Sequence, residues 1–466
     1  MLKKVLAIAA AVSLCGAASA RTLTPDTPDE YGYVSGYYGT MMLTEDGEVI
    51  VPDGVYTGIK LLTGDDPDCE LYSVMPADYT DRPELLAQIR GEEPEDEYAL
   101  YGPNPRRALA DAEGNLLTDY VYTDLTWDAA TDTLVGKTAD GICEALDPSG
   151  NVLLSGTYYE MIPAGDGWLV SEADGDTYRI LKVAADGTEQ LIREDAESGW
   201  MGAVWGGGYF MIDDEQIIGV DGNVVFSAEG RGSGLYAMGS DRFARVMIEE
   251  GGSYFYQLYD RDGGLLLDGK KFDSLDGLSN GGFIGAAGNV LQFYSADAEL
   301  IASEEFEEPV WSCYQNNGIV CVYLQEGEEL YFSAEGERLL TEVPEGMDVN
   351  LYYETCAGEA EVVVLNGTDS SALCDLNGNI IADGLPAGLY PYYWEDGRGY
   401  YIDYSTRTGK LGLYDETGRQ VLPCNMESII VLASDRLWVH YNGKCALLDS
   451  DGTALYTISD YSELMD

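Results

Sequence analysis

Along almost the whole chain, short apolar runs alternate with Gly, Asp and Asn clusters, and the spacing inside the runs is that of strands rather than helices. Pairs such as "GWLVSEA" then "DTYRILKV" (167–183), or "RLWVHYN" then "KCALLD" (436–449), read as neighbouring antiparallel strands joined by tight turns. The one helix signal lies at Asp81 and Pro83, which open a stretch running through Leu85 and Ile89.

The pattern repeats. "LTEDGEVIV" (43–51), "LADAEGNLL" (109–117), "ALDPSGNVLL" (145–154), "VAADGTEQLI" (183–192) and "IGVDGNVVF" (218–226) align with one another. So do "LYDRDGGLLL" (258–267), "YSADAELIA" (294–302), "FSAEGERLL" (332–340) and "LCDLNGNII" (373–381), and then "GKLGLYDETGRQVLP" (409–423) and "GKCALLDSDGTAL" (443–455). From Gly114 to Gly452 the period is about 38 residues. The step from Gly47 to Gly114 is longer and implies an acidic, Pro-containing insertion at about 63–107.

Each block has the chemistry of a hairpin turn. In Asp-x-x-Gly the carboxylate bonds backbone two residues on, the middle pair forms a type I turn, and Gly takes the left-handed position. This predicts structural turns at Asp111 and Gly114, Asp147 and Gly150, Asp260 and Gly263, Asp375 and Gly378, Asp415 and Gly418, and Asp449 and Gly452. Thr44, Ser295 and Ser333 substitute hydroxyls, Ala184 and Gly219 lose the side-chain bond, and Ala298 replaces the turn glycine, which predicts a weaker or reshaped turn there.

A unit of three or four short strands cannot bury its faces alone. The expected fold is therefore all-β, a β-propeller-like array of about eleven units of this kind, with a linear β-solenoid as the alternative. The eleven units fit either one ring or two. Residues 31–466 form the repeat domain, preceded by a short linker at 21–30.

The block "GKLGLYDETGRQVLP" resembles the WG (KWG) repeat of bacterial proteins, whose units run Gly-Lys-Trp-Gly-Leu, hydrophobic, Asp-x-x-Gly, then Val, hydrophobic, Pro. "GKCALLD" is a second copy, and "KKFDSL" (270–275) echoes the aromatic-Asp that follows the block. Leu411 and Cys445 stand where the signature Trp would be, so the chain resembles a divergent member. The resemblance implies a β-rich repeat protein of bacterial origin, often exported and used for interaction, and it brings no catalytic residues.

Composition changes the picture in three ways. Residues 1–20 combine Lys3 and Lys4, an apolar run and Ala18-Ser19-Ala20, the pattern of a secretory leader; lipid attachment at Cys15 is the alternative, with Leu14 rather than a small residue before it. A formal charge of -58, from 83 acidic against 25 basic residues, excludes nucleic acid and anionic membrane surfaces as natural partners. No further apolar run reaches the length of a membrane span. Among 9 cysteines, Cys313 and Cys321 in "CYQNNGIVC" face each other if Asn316-Asn317-Gly318 form a three-residue loop, which makes them the candidate disulfide.

Catalytic chemistry has little to work with. His440 is the single histidine, so any His-dependent triad would have to use it, and its alternating strand gives it a structural place. "VGKT" (135–138) lacks the upstream glycine of a phosphate loop, with Thr131 in its place, and "WGGGYF" (205–210) has no helix behind it. Asp260-x-Asp262-Gly263 and Asp449-x-Asp451-Gly452 open like calcium loops, but Leu265 and Ala454 replace the glycine at the sixth position, so the expectation is no cofactor, with calcium at these turns as the alternative. The remaining candidate is "LYPYYWEDGRGYYIDY", where Tyr390, Tyr392, Tyr393 and Trp394 either stack on a sugar or protein partner or fill the core. The expected function is an exported, monomeric, non-enzymatic protein that binds a protein or glycan, with a carbohydrate-active hydrolase as the alternative.

Overall fold

The computed structural model describes residues 23–24, 39–53, 55–63, 69–76 and 106–458, apart from 130, 205–207, 214, 229–233, 240, 250–251, 396, 434 and 443. Residues 1–20 with their leader pattern, Cys15 among them, and the helix signal at Asp81 lie outside the described residues. The fold is all-β and of the β-propeller type. Short antiparallel sheets follow one another along the chain, and in most of them four strands pair in sequence order. Each sheet is one repeat, as the period predicts.

The chain forms two compact units, the first taking residues up to 156 with 445–447 and 454 onward, the second taking 157–444 with 448–453. In the first, strands Tyr56–Leu61, Tyr72–Pro76 and Ala108–Ala110 make one sheet and residues 122–156 the next. Leu109 is fully buried between them, against Leu125 and Leu134, whereas Tyr72 and Val74 are buried on the other face with Met42 and Val51 of the first hairpin. Strand Tyr72–Pro76 lies inside the interval read as an insertion, so the extra residues fall between the second and third strands of this sheet, after residue 76. Leu23 exchanges two backbone hydrogen bonds with Leu43, at 2.8 and 2.9 Å, and therefore belongs to the first hairpin rather than to a linker.

In the second unit, the sheets at 160–196, 201–227, 274–305 and 310–339 each carry four strands. Burial is graded across a sheet. In the 274–305 sheet, Phe283, Ile284, Leu291 and Phe293 of the two middle strands are buried, whereas Leu300 and Ile301 of the fourth strand are exposed. The aliphatic run after each turn is thus an outer strand, half wet and half packed. Thr355–Cys356 departs from the scheme by pairing parallel with Tyr393 and Trp394.

The turn aspartates sit as the motif requires. Asp415 Oδ1 accepts the Thr417 and Arg419 N–H groups at 3.1 and 3.0 Å, and the same pair of bonds recurs at Asp111, Asp147, Asp260, Asp375 and Asp449. Ser295 and Ser333 make both bonds through hydroxyls. Where Ala184 and Gly219 cannot accept, Asp186 and Asp221 at the third turn position take the later N–H, from Thr188 and Asn223 at 2.9 and 3.0 Å. Ala298 keeps the common turn instead of reshaping it. Its N–H donates to Ser295 O at 2.9 Å, with φ held at 61°.

Turn glycines other than Gly187 also meet the neighbouring repeat. A Cβ on Gly418 would strike Ala382, one on Gly222 would strike Ile192, and one on Gly336 would lie 2.6 Å from Ala302, each on the fourth strand of the preceding sheet. In the first unit, Gly114 abuts Val51 in the same way, and Gly47 lies against Tyr456 of the last strand, 3.0 Å from its Cβ. The glycine therefore does two jobs: it permits the turn and lets the next repeat approach.

Candidate functional site

Within the second unit, a cleft of ≈ 660 Å³ is lined by residues of three successive sheets, among them Ser253, Tyr254, Asp273, Gly288, Trp311 and Gln325. Tyr254 opens a strand directly after the Glu249–Ser253 turn, whose backbone bonds are 2.8 and 3.0 Å. Its ring is 58% exposed and meets Tyr256 edge-on at 5.9 Å. Trp311 stands at a register shift between Val310 and Ser312, an irregularity of the kind that turns a side chain out of the ladder. At 75% exposure it is the most exposed large apolar side chain among the described residues.

The floor is held by two backbone bonds and one carboxylate. Asp273 Oδ2 accepts the Gly288 N–H at 2.7 Å, Gly288 O accepts the Val310 N–H at 2.9 Å, and Pro309 O accepts the Gln325 N–H at 3.0 Å. Rigid floor and open aromatic faces together suit binding of a flat, partly apolar surface. Asp273 is the one carboxylate among the described lining residues, and it is already engaged by Gly288. Beside the cleft, Lys271 sits 3.9 Å from the centre of the Phe255 ring and pairs with Glu249 at 2.7 Å.

The residues singled out in the sequence lie elsewhere. Trp394 is 2% exposed and Tyr393 7%, both in the 390–426 sheet, and Trp394 packs against Val362, Leu373 and Tyr401. Tyr390 and Tyr392 are half-buried, and the Tyr392 hydroxyl donates to Ile429 O at 3.1 Å. The aromatic hairpin is therefore core, not a platform for a ligand. Its alternate-strand rings fall inward because both strands are covered by neighbouring sheets.

Cys313 and Cys321 are free thiols. The loop between their strands has two residues, Asn317 and Gly318, with Asn316 paired to Ile319. One residue fewer than expected shifts the register, so that Cys313 pairs with Val322 and Tyr314 with Cys321. Cys313 packs with Val320 and Phe332 on one side, while Cys321 packs with Leu351 and Val363 on the other. Burial pushes both thiols up to about 12.

His440 is buried at 1% exposure, and its Nε2 accepts the Trp438 Nε1–H at 2.8 Å. The single histidine is a core partner for a buried indole. "VGKT" lies within strand Thr133–Thr138, where its amides pair with neighbouring strands. At the two calcium-like starts, Asp260 bonds its own turn and Asp451 pairs with Arg419 at 2.9 Å. Sequence reasoning passed over Trp311. Its signal was the Glu307-Glu308-Pro309 run before it, which delays the strand and leaves an aromatic at its ragged start.

Among the described residues, no helix is long and apolar enough to cross a membrane. No family model and no curated protein matches the chain. Solved structures similar to it include the computationally designed Ika8 protein, at 12% identity over 73% of this chain and 87% of that one, with a TM-score of 0.27. Sqt1 of Saccharomyces cerevisiae is 10% identical over 69% of this chain and 93% of its own, with a TM-score of 0.29. KlHsv2 with its loop 6CD replaced by a Gly-Ser linker is 10% identical over 63% and 96%, with a TM-score of 0.28.

Proposed function

We propose that this chain is an exported, non-enzymatic binding protein that takes a glycan against Trp311 and Tyr254. The observation that carries the reading is Trp311 itself, an indole left 75% exposed at the mouth of a cleft with a second open aromatic, Tyr254. An exposed Trp costs solvation unless a ligand covers it, and aromatic faces stack on the apolar side of sugar rings while amide and hydroxyl groups such as Gln325 and Ser253 take the sugar hydroxyls. Export is supported by the leader pattern of residues 1–20, and an interaction role agrees with the resemblance to WG repeats.

Binding is favoured over hydrolysis by the single carboxylate among the described lining residues, since glycoside cleavage uses two. The test is a glycan array followed by titration calorimetry on the purified chain. Binding that falls at least about tenfold in Trp311→Ala and in Tyr254→Ala supports the reading. Binding that these changes leave intact, or glycan cleavage abolished by Asp273→Asn, overturns it.

A further inference from the structure

We propose that Tyr314, Tyr323 and Tyr352 form a binding site for ferric ion. Their three phenol oxygens close a triangle: Tyr314 to Tyr352 is 2.7 Å, Tyr314 to Tyr323 is 3.1 Å, and Tyr323 to Tyr352 is 3.1 Å. The residues come from separate places in the chain. Tyr314 and Tyr323 lie on the first two strands of the 310–339 sheet with their rings stacked at 5.9 Å and 17°, and Tyr352 follows strand Asp348–Asn350 of the next. The Asn350 side chain accepts the Tyr352 N–H at 3.2 Å and helps to place it.

The size of the triangle suits a metal. An octahedral ion with oxygen bonds of about 2.0–2.1 Å at right angles separates adjacent ligand oxygens by about 2.8–3.0 Å, the spacing that these phenols already hold. Glu329, the cross-strand partner of Tyr323, brings a further carboxylate and its negative charge to the strand beside the triangle. Tyr352 is 53% exposed, which leaves an approach from solvent, and the charge of -58 concentrates cations around the chain.

The chemistry selects the ion. A phenol titrates at about 10 and is therefore protonated at neutral pH. Binding must displace those protons: one trivalent ion forms three metal–phenolate bonds, three O–H bonds break, and three protons leave to solvent with no change of oxidation state. A hard, highly charged cation can do this, because it inverts the local preference for the neutral phenol and prefers oxygen over softer ligands. Calcium and magnesium lack the charge to displace phenolic protons.

The experiment is a titration of the purified full chain with ferric nitrilotriacetate near neutral pH. The expected result is a visible phenolate-to-iron charge-transfer band saturating at one ion per chain, with phenolate modes in the resonance Raman spectrum and an acid release on binding. Tyr352→Phe should weaken the ion's affinity about tenfold or more, and the Tyr314→Phe and Tyr323→Phe pair should abolish the band, with circular dichroism unchanged. Absence of the band in the native chain overturns the proposal. So does a band of undiminished strength in the Phe variants, which retain every ring and so fold as the parent does.

Discussion

Gly418 stands directly against Ala382: a Cβ added to the glycine would clash with the alanine methyl on the preceding sheet. With φ at 80°, Gly418 also holds the left-handed turn of its own repeat. Gly187 has the same turn, φ 81°, but nothing near the position of its Cβ. Gly187→Ala should therefore lose about 1–2 kcal/mol for left-handed backbone alone. Gly418→Ala should lose about 1–3 kcal/mol more from overpacking, read as a larger drop in denaturant midpoint. Equal losses would show that the junction between repeats yields freely. Conversely, Ala298→Gly should stabilise by about 0.5–1 kcal/mol, since it removes the strain of φ 61° at the one block without a turn glycine.

This comparison separates what was legible in the sequence from what was not. The period, the turn and the identity of its capping groups are local chemistry, so Asp415 and Gly418 declare themselves within four residues. The contact between Gly418 and Ala382 joins residues a whole repeat apart and leaves no local mark. Two readings turned on a single residue of register. A two-residue loop at Asn317 and Gly318 in place of three sent Cys313 and Cys321 to opposite faces, and the irregularity after Val310 turned Trp311 outward while Trp394, in a richer aromatic stretch, went into the core.

The cysteine pair offers a direct check on that register. Both thiols are buried and shifted up to about 12, so the reactive thiolate is scarce at neutral pH. Neither Cys313 nor Cys321 should take up iodoacetamide in the folded protein, and both should do so in denaturant without prior reduction. Mass spectrometry of the alkylated peptides reads the outcome. A peptide that is labelled only after reduction would place a disulfide at this hairpin.

Acid stability should expose Asp415. Burial opposes ionisation of Asp415, but its bonds to the Thr417 hydroxyl and the Arg419 guanidinium prevail and hold the carboxyl below the usual range. Such a group contributes stability above its unfolded pKa of about 3.9 and loses it as pH falls through the lower folded value. The Asp415→Asn variant keeps a turn acceptor but not the 2.7 Å pair with Arg419. It should be about 0.5–1 kcal/mol less stable at neutral pH, and its melting temperature should converge on the parent's below about pH 4. A gap that widens in acid would reverse the sign and sink this account.

The cleft is open to an optical test that needs no ligand. Of 7 tryptophans, Trp438 and Trp394 are buried and Trp168 nearly so, whereas Trp311 is 75% exposed and Trp200 49%. Acrylamide, being neutral, reaches an exposed indole regardless of charge, while iodide is repelled by a chain of net charge -58. Acrylamide should therefore quench a distinct accessible fraction of the emission, Trp311→Phe should reduce that fraction, and iodide should quench little until salt screens the repulsion. An added glycan that occupies the cleft should protect the same fraction in the parent and change nothing in Trp311→Phe. Quenching that is unaltered by Trp311→Phe would mean that the indole is covered in solution, and the cleft would lose its principal contact.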